Sequence, residues 1–81
     1  MSGEYVCKKH FSESMIDELS IKFKENGNIV LKPYNYKGTY EINGDSVMLE
    51  AKIFNPCMAF KIDDNRIHTE CMLGSIEFVK K

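Results

Sequence analysis

The chain has 81 residues, 43% of them hydrophobic and 28% charged, with 11 basic against 12 acidic side chains and a net charge of −1. That composition supports one folded domain spanning 1–81 and excludes disorder, which needs lower hydrophobicity or a larger net charge. It shows no basic stripe for nucleic acid and no acidic excess for imitating it, and no apolar run approaches the roughly 20 residues that span a bilayer.

Taken in chain order, the pattern is two-residue alternation broken by turns. A first strand fits Glu4 to Lys8, with Tyr5 and Cys7 inward. Ser12 to Leu19 (SESMIDEL) breaks the alternation and reads as a short helix. Ser12 or Ser14 caps it, Glu13, Asp17 and Glu18 lie near its positive end, and Met15, Ile16 and Leu19 share a face. Leu19, Ile21 and Phe23 then alternate with Ser20, Lys22 and Lys24, which gives one buried and one wet face. Glu25-Asn26-Gly27-Asn28 predicts a type I′ hairpin turn, because Asn-Gly takes two positive-φ positions readily.

Ile29 to Leu31 return, and Pro33 ends the strand because it has no amide hydrogen for the ladder. The clearest hairpin follows: Thr39 to Ile42, a turn at Asn43-Gly44-Asp45, then Ser46 to Glu50. It sets Tyr40 and Ile42 inward opposite Val47 and Leu49. Met58, Phe60 and Ile62 form one face of a sixth strand, and Asp63-Asp64-Asn65 turns the chain. Ile67, Thr69 and Cys71 line the seventh, Gly74 permits another turn, and Ile76 and Phe78 close the chain.

The fold expected is all-β: an antiparallel meander of about eight short strands forming a small barrel, with one short helix after the first strand. An open β-roll or small sandwich is the alternative. Fifteen bulky side chains should fill the interior: Tyr5, Leu19, Ile21, Phe23, Ile29, Leu31, Tyr40, Ile42, Val47, Leu49, Phe60, Ile62, Ile67, Ile76 and Phe78. Three cysteines without framework spacing suit reduced thiols. Barrel closure would bring the first and last strands together, so a Cys7–Cys71 disulfide is the alternative. Met1-Ser2-Gly3-Glu4 lacks a charged and apolar leader, so a soluble, cytoplasmic location is expected.

The segments GEYVCKK, SIKFKENGNIVLK, KGTYEINGDSVMLEAK, FKIDDNRIHTE and GSIEFVKK resemble the small lipocalin-like β-barrel domains of bacterial lipoproteins and of many bacterial and phage proteins. The resemblance covers most of the chain outside Lys9 to Glu18. It implies a short up-and-down barrel and carries no catalytic motif.

Candidate chemistry is sparse. Cys7-x-x-His10 and His68-x-x-Cys71 hold zinc-type ligands, but residues three apart on a strand face opposite ways. Cys57, in Phe54-Asn55-Pro56-Cys57-Met58, has no histidine nearby in sequence to activate it. Asp63-Asp64 reads as a turn pair, and no phosphate loop or nucleophile elbow is present. The expectation is therefore no enzyme, no cofactor and no metal.

Pro33-Tyr34-Asn35-Tyr36-Lys37-Gly38 is the best contact surface. Two tyrosines in a loop bring large amphipathic area at low entropic cost, and Arg66 and Met48 on outward positions would extend it. The bland alternative has one tyrosine plugging a barrel end and the other lying flat. The binding residues expected are Tyr34, Asn35, Tyr36, Lys37 and Arg66, engaging a protein partner as an inhibitor or accessory factor. The alternative function is a lipocalin-like carrier or sensor of a small apolar ligand.

Overall fold

Alternation of apolar and polar side chains is satisfied by eight antiparallel strands that close on themselves. The computed structural model describes residues 1–81. The strands are β1 (Gly3–Lys9), β2 (Ser20–Phe23), β3 (Asn28–Lys32), β4 (Tyr36–Asn43), β5 (Ser46–Glu50), β6 (Ala59–Asp63), β7 (Arg66–Cys71) and β8 (Gly74–Lys80). Each pairs with the next, and β8 pairs back onto β1, so the sheet is a closed meander without a free edge. In the β4–β5 hairpin Tyr40 stands opposite Leu49 and Ile42 opposite Val47, the register that the alternation predicts.

Strand direction sorts the connections into two ends. The β2–β3, β4–β5 and β6–β7 turns lie at one end, hereafter the turn end. The connections 10–19, 33–35, 51–58 and 72–73 lie at the other, the loop end. Both long connections therefore share one face of the molecule.

Fourteen hydrophobic side chains are buried and no polar or charged one is. Twelve belong to the fifteen expected inside, and Cys7 is inward as expected. Phe54 is the one buried side chain that the alternation does not predict. It rides on a 3-10 turn at Lys52–Phe54 and packs edge-to-face on Phe60 and Phe78, with ring centroids 5.6 and 6.0 Å apart. Burying a phenylalanine this fully stabilises the fold by about 2 kcal/mol, and here it also roofs the interior at the loop end. At the turn end Tyr40 packs on Phe23 at 5.0 Å, and its hydroxyl lies 2.7 Å from the Lys24 carbonyl and 2.9 Å from the Met1 carbonyl.

Four expectations are corrected. The segment Ser12 to Leu19 is not a helix but contains one 3-10 turn, Glu13–Met15. The Cys7 amide donates to the Leu19 carbonyl at 2.9 Å, and the Asp17 amide donates to the Cys7 carbonyl at 2.8 Å. Held at Cys7, the segment turns sharply through Asp17 at φ 66, outside helical conformation. The β2–β3 turn is not type I′, since only Gly27 has positive φ; the Asn26 side chain accepts a bond from the Asn28 amide instead. Ile42 is 45% exposed, because β3 ends opposite Thr39 and leaves Ile42 a neighbour on β5 alone.

The fourth concerns the cysteines. Cys57 and Cys71 form a disulfide with Cα atoms 5.9 Å apart, and Cys7 is free and buried. The three are not all thiols, and Cys7 is not the partner of Cys71. Cys71 pairs with Gly74 and Cys7 with Phe78, so they stand roughly 13 Å apart along the intervening β8. A disulfide needs Cα atoms within about 7 Å.

Gly38 is fixed by close approach. A Cβ there would lie 2.5 Å from the Glu50 carbonyl oxygen and 3.0 Å from the Ala51 Cβ. Gly38→Ala should destabilise the domain by about 1–3 kcal/mol through overpacking. Thermal denaturation checks this, and an unchanged melting temperature would contradict the contact.

Candidate functional site

Large exposed apolar side chains are concentrated at the loop end. Six occur in the molecule, and five are there: Phe11, Tyr34, Tyr36, Met72 and Leu73. Phe11, Tyr34 and Tyr36 are about half exposed, Leu73 is 71% exposed and Met72 fully so. Only Ile42 lies towards the turn end. A folded monomer rarely gathers its exposed apolar residues on one face without a partner for them.

Local structure explains the arrangement. Asn35 takes φ 57 in the short β3–β4 turn, and its side-chain oxygen accepts a bond from Lys32 Nζ at 2.6 Å. This turn sets the rings of Tyr34 and Tyr36 parallel, with centroids 5.3 Å apart and 23° between planes. Lys37 follows on β4. Across from them the 3-10 turn after β5, held by Phe54, presents Lys52 and Ile53. The result is an open cleft of about 820 Å³ lined by Met15, Tyr34, Tyr36, Lys37, Ala51, Lys52 and Ile53.

A second cleft of about 220 Å³ adjoins it, with Phe11, Phe54, Leu73 and Ile76 among its walls. Met15 and Ile53 line both, so the two clefts are neighbours across the loop end and share that wall. The Cys57–Cys71 disulfide lines the smaller cleft and ties the 51–58 connection to the β7–β8 hairpin beside its tip, Met72-Leu73. Met48 borders a shallow hollow that shares Ala51 and Lys52 with the larger cleft.

Of the five site residues expected, Tyr34, Asn35, Tyr36 and Lys37 stand together in the β3–β4 region. Neither tyrosine plugs the barrel: Phe54 does. Arg66 is elsewhere. It begins β7 at the turn end, where it pairs with Asp63 at 2.8 Å and with Glu77 at 2.6 Å. The Arg66 guanidinium holds the Asp63 carboxyl below its ordinary range. Phe11, Met15, Ile53, Met72 and Leu73 are absent from the expected site. Met72-Leu73 carried a usable signal: two large apolar residues occupy a hairpin turn where Asn, Asp or Gly is usual.

The zinc-type residues are not brought together. Cys71 is in the disulfide, Cys7 is interior, and no three His, Cys, Asp or Glu side chains gather anywhere. Burial pushes the Cys7 thiol up to about 11, and its Sγ donates to the Lys9 carbonyl at 3.4 Å. His10 stacks on Phe11 with centroids 4.3 Å apart, and its Nδ1 accepts a bond from the Ser12 amide at 2.9 Å. Burial lowers its pKa below 6.5. No helix is long and apolar enough to cross a membrane. No protein-family profile, curated protein or solved structure matches the chain.

Two predictions follow from these side chains. A thiol reagent should find no reactive cysteine in the native protein, one after unfolding without reductant, and three after unfolding with reductant. Three without reductant would contradict the Cys57–Cys71 pairing. For His10, the native state favours the neutral ring, so the unfolded chain binds the proton more tightly and stability falls as pH drops through 6.5 towards the lowered native value. Chemical denaturation across that window should show this loss, and His10→Gln should abolish it. Glu4 and Asp63, also lowered, add their losses only near and below their ordinary 4.5 and 3.8.

Proposed function

We propose that this barrel is a non-enzymatic binding module that engages a protein partner through its loop end, as an inhibitor or accessory factor. The observation that carries the reading is the gathering of five of the six large exposed apolar side chains on that face. Aromatic and methionine side chains are the types enriched where proteins meet, and a groove with paired tyrosines supplies buried area at low entropic cost. The disulfide and Phe54 hold the face preorganised, which lowers the entropic cost of association.

The second reading is a lipocalin-like carrier or sensor of a small apolar ligand. Such carriers hold cargo inside the barrel. Here fourteen side chains occupy that space, so the protein-binding reading is preferred. The disulfide supports work in an oxidising compartment over the cytoplasm.

The test is affinity capture from native-source extract with three baits: the parent chain, Tyr34→Ala/Tyr36→Ala, and Arg66→Ala. One stoichiometric protein should be retained by the parent and by Arg66→Ala, and lost from the tyrosine variant with its circular dichroism unchanged. Equal retention by all three would remove the loop end from the interaction. No captured protein, together with small apolar compounds that raise the melting temperature and shift the interior methyls of Ile21 and Leu31, would favour the carrier.

A further inference from the structure

The larger cleft is apolar in its walls and cationic at its margin. Tyr34, Tyr36, Met15, Ala51 and Ile53 line it, and its only charged lining residues are Lys37 and Lys52. No carboxylate contributes to it. The molecule forms four ion pairs, and neither lysine belongs to any of them. Two ammonium groups beside an apolar cleft, without an internal counterion, attract a negatively charged occupant and repel a positive one.

The adjoining smaller cleft has a different character. His10 is its only ionisable side chain outside the disulfide; burial disfavours its charged form, and its Nδ1 is occupied by the bond from the Ser12 amide. An occupant bridging the shared Met15–Ile53 wall would therefore be acidic at one end and apolar at the other. Resting on the protein-binding reading above, we infer that the groove recognises an acidic peptide segment: a bulky apolar anchor flanked by carboxylates in the Tyr34–Lys37–Lys52 cleft, and a second apolar residue beside Phe11 and Leu73.

A membrane surface would meet the same apolar tip, but the charge balance favours the peptide. An anionic bilayer needs a broad cationic rim. Exposed at the loop end, Lys9, Lys32, Lys37 and Lys52 are matched by Glu13, Glu18, Glu50 and Glu70, and Lys8 is neutralised by Asp17 at 2.6 Å. The end as a whole is close to neutral, and of its charged residues only Lys37 and Lys52 line the larger cleft, which suits a few carboxylates on a chain rather than a sheet of head groups.

The experiment is selection of a random-peptide display library on the intact chain and, in parallel, on Lys37→Glu/Lys52→Glu. The parent should enrich Asp or Glu next to Phe, Tyr or Leu, and the reversed variant should enrich Lys or Arg at those positions. A synthetic copy of the leading parent sequence should bind the reversed variant at least about tenfold more weakly, a difference near 1.4 kcal/mol. It should bind Lys37→Met/Lys52→Met more weakly as well, with melting temperatures unchanged in both. Its affinity for the parent should fall with salt. No enrichment, or enrichment without acidic residues, would overturn the inference. So would sedimentation of the chain with phosphatidylserine vesicles that an excess of the leading peptide does not reverse. If the tyrosine variant still loses its protein partner while no acidic motif is selected, the binding-module reading survives and only the acidic specificity falls. If all three capture baits behave alike as well, both fall.

Discussion

The edge-to-face packing of Phe54 on Phe60 and Phe78 is the contact on which the loop end depends. An eight-stranded barrel has an interior just wide enough to be filled by side chains, and this one is filled by apolar groups alone. Phe54 completes that filling from outside the strand pattern, at the end of a 3-10 turn. Two consequences follow from one ring. The barrel mouth is shut, so recognition is displaced from interior to exterior. The 51–58 connection is pinned across the mouth, so Ile53 and Lys52 face the Tyr34–Tyr36 pair and the cleft acquires its second wall. The Cys57–Cys71 disulfide anchors the same connection at its far end and closes a loop of 14 residues in sequence separation, which contributes about 3 kcal/mol by restricting the unfolded chain.

The division of labour between the two ends comes from the meander itself. In an up-and-down barrel the connections alternate between ends, so the connections after odd-numbered strands share one face. In this chain those include both of the long ones. The other face is closed tightly by short turns and by Tyr40, whose hydroxyl reaches the Lys24 and Met1 carbonyls. The strands, the turn end, Phe54 and the disulfide together stabilise the fold. The tips of the loop end are left to carry exposed methionine, leucine and aromatic side chains.

Strand positions were legible in the sequence because the side-chain period of a strand is two, and a slip by one residue would expose a whole apolar set. Barrel closure was legible for the same reason: eight amphipathic strands in succession leave no other element to cover a free edge. Residues outside that periodicity were not. Phe54, in Lys-Ile-Phe-Asn-Pro, has no alternating partner, so nothing local marks it as buried. SESMIDEL has helix chemistry, but hydrogen bonds to Cys7 from both sides of its end hold it in an irregular path. The disulfide depends on how far Cys71 stands along β8 from Cys7, which is a property of register rather than of spacing. The Tyr34–Lys37 part of the site could be read because it is contiguous. The rest of the groove comes from three other connections, and only the fold brings them together. Arg66 looked outward and cationic, yet its register places it at the opposite end between two carboxylates.

The central claim is that the interior is closed and that recognition occurs on the outside of the loop end. Carbon-13 methyl spectra, recorded while the chain is titrated with a set of small apolar probes, test it most directly. Shifts should be confined to Met15, Ile53, Met72 and Leu73, with Ile21, Leu31, Val47 and Ile67 unmoved. Shifts in the second group, saturating with the same affinity as any in the first, would show instead that the barrel opens to ligand.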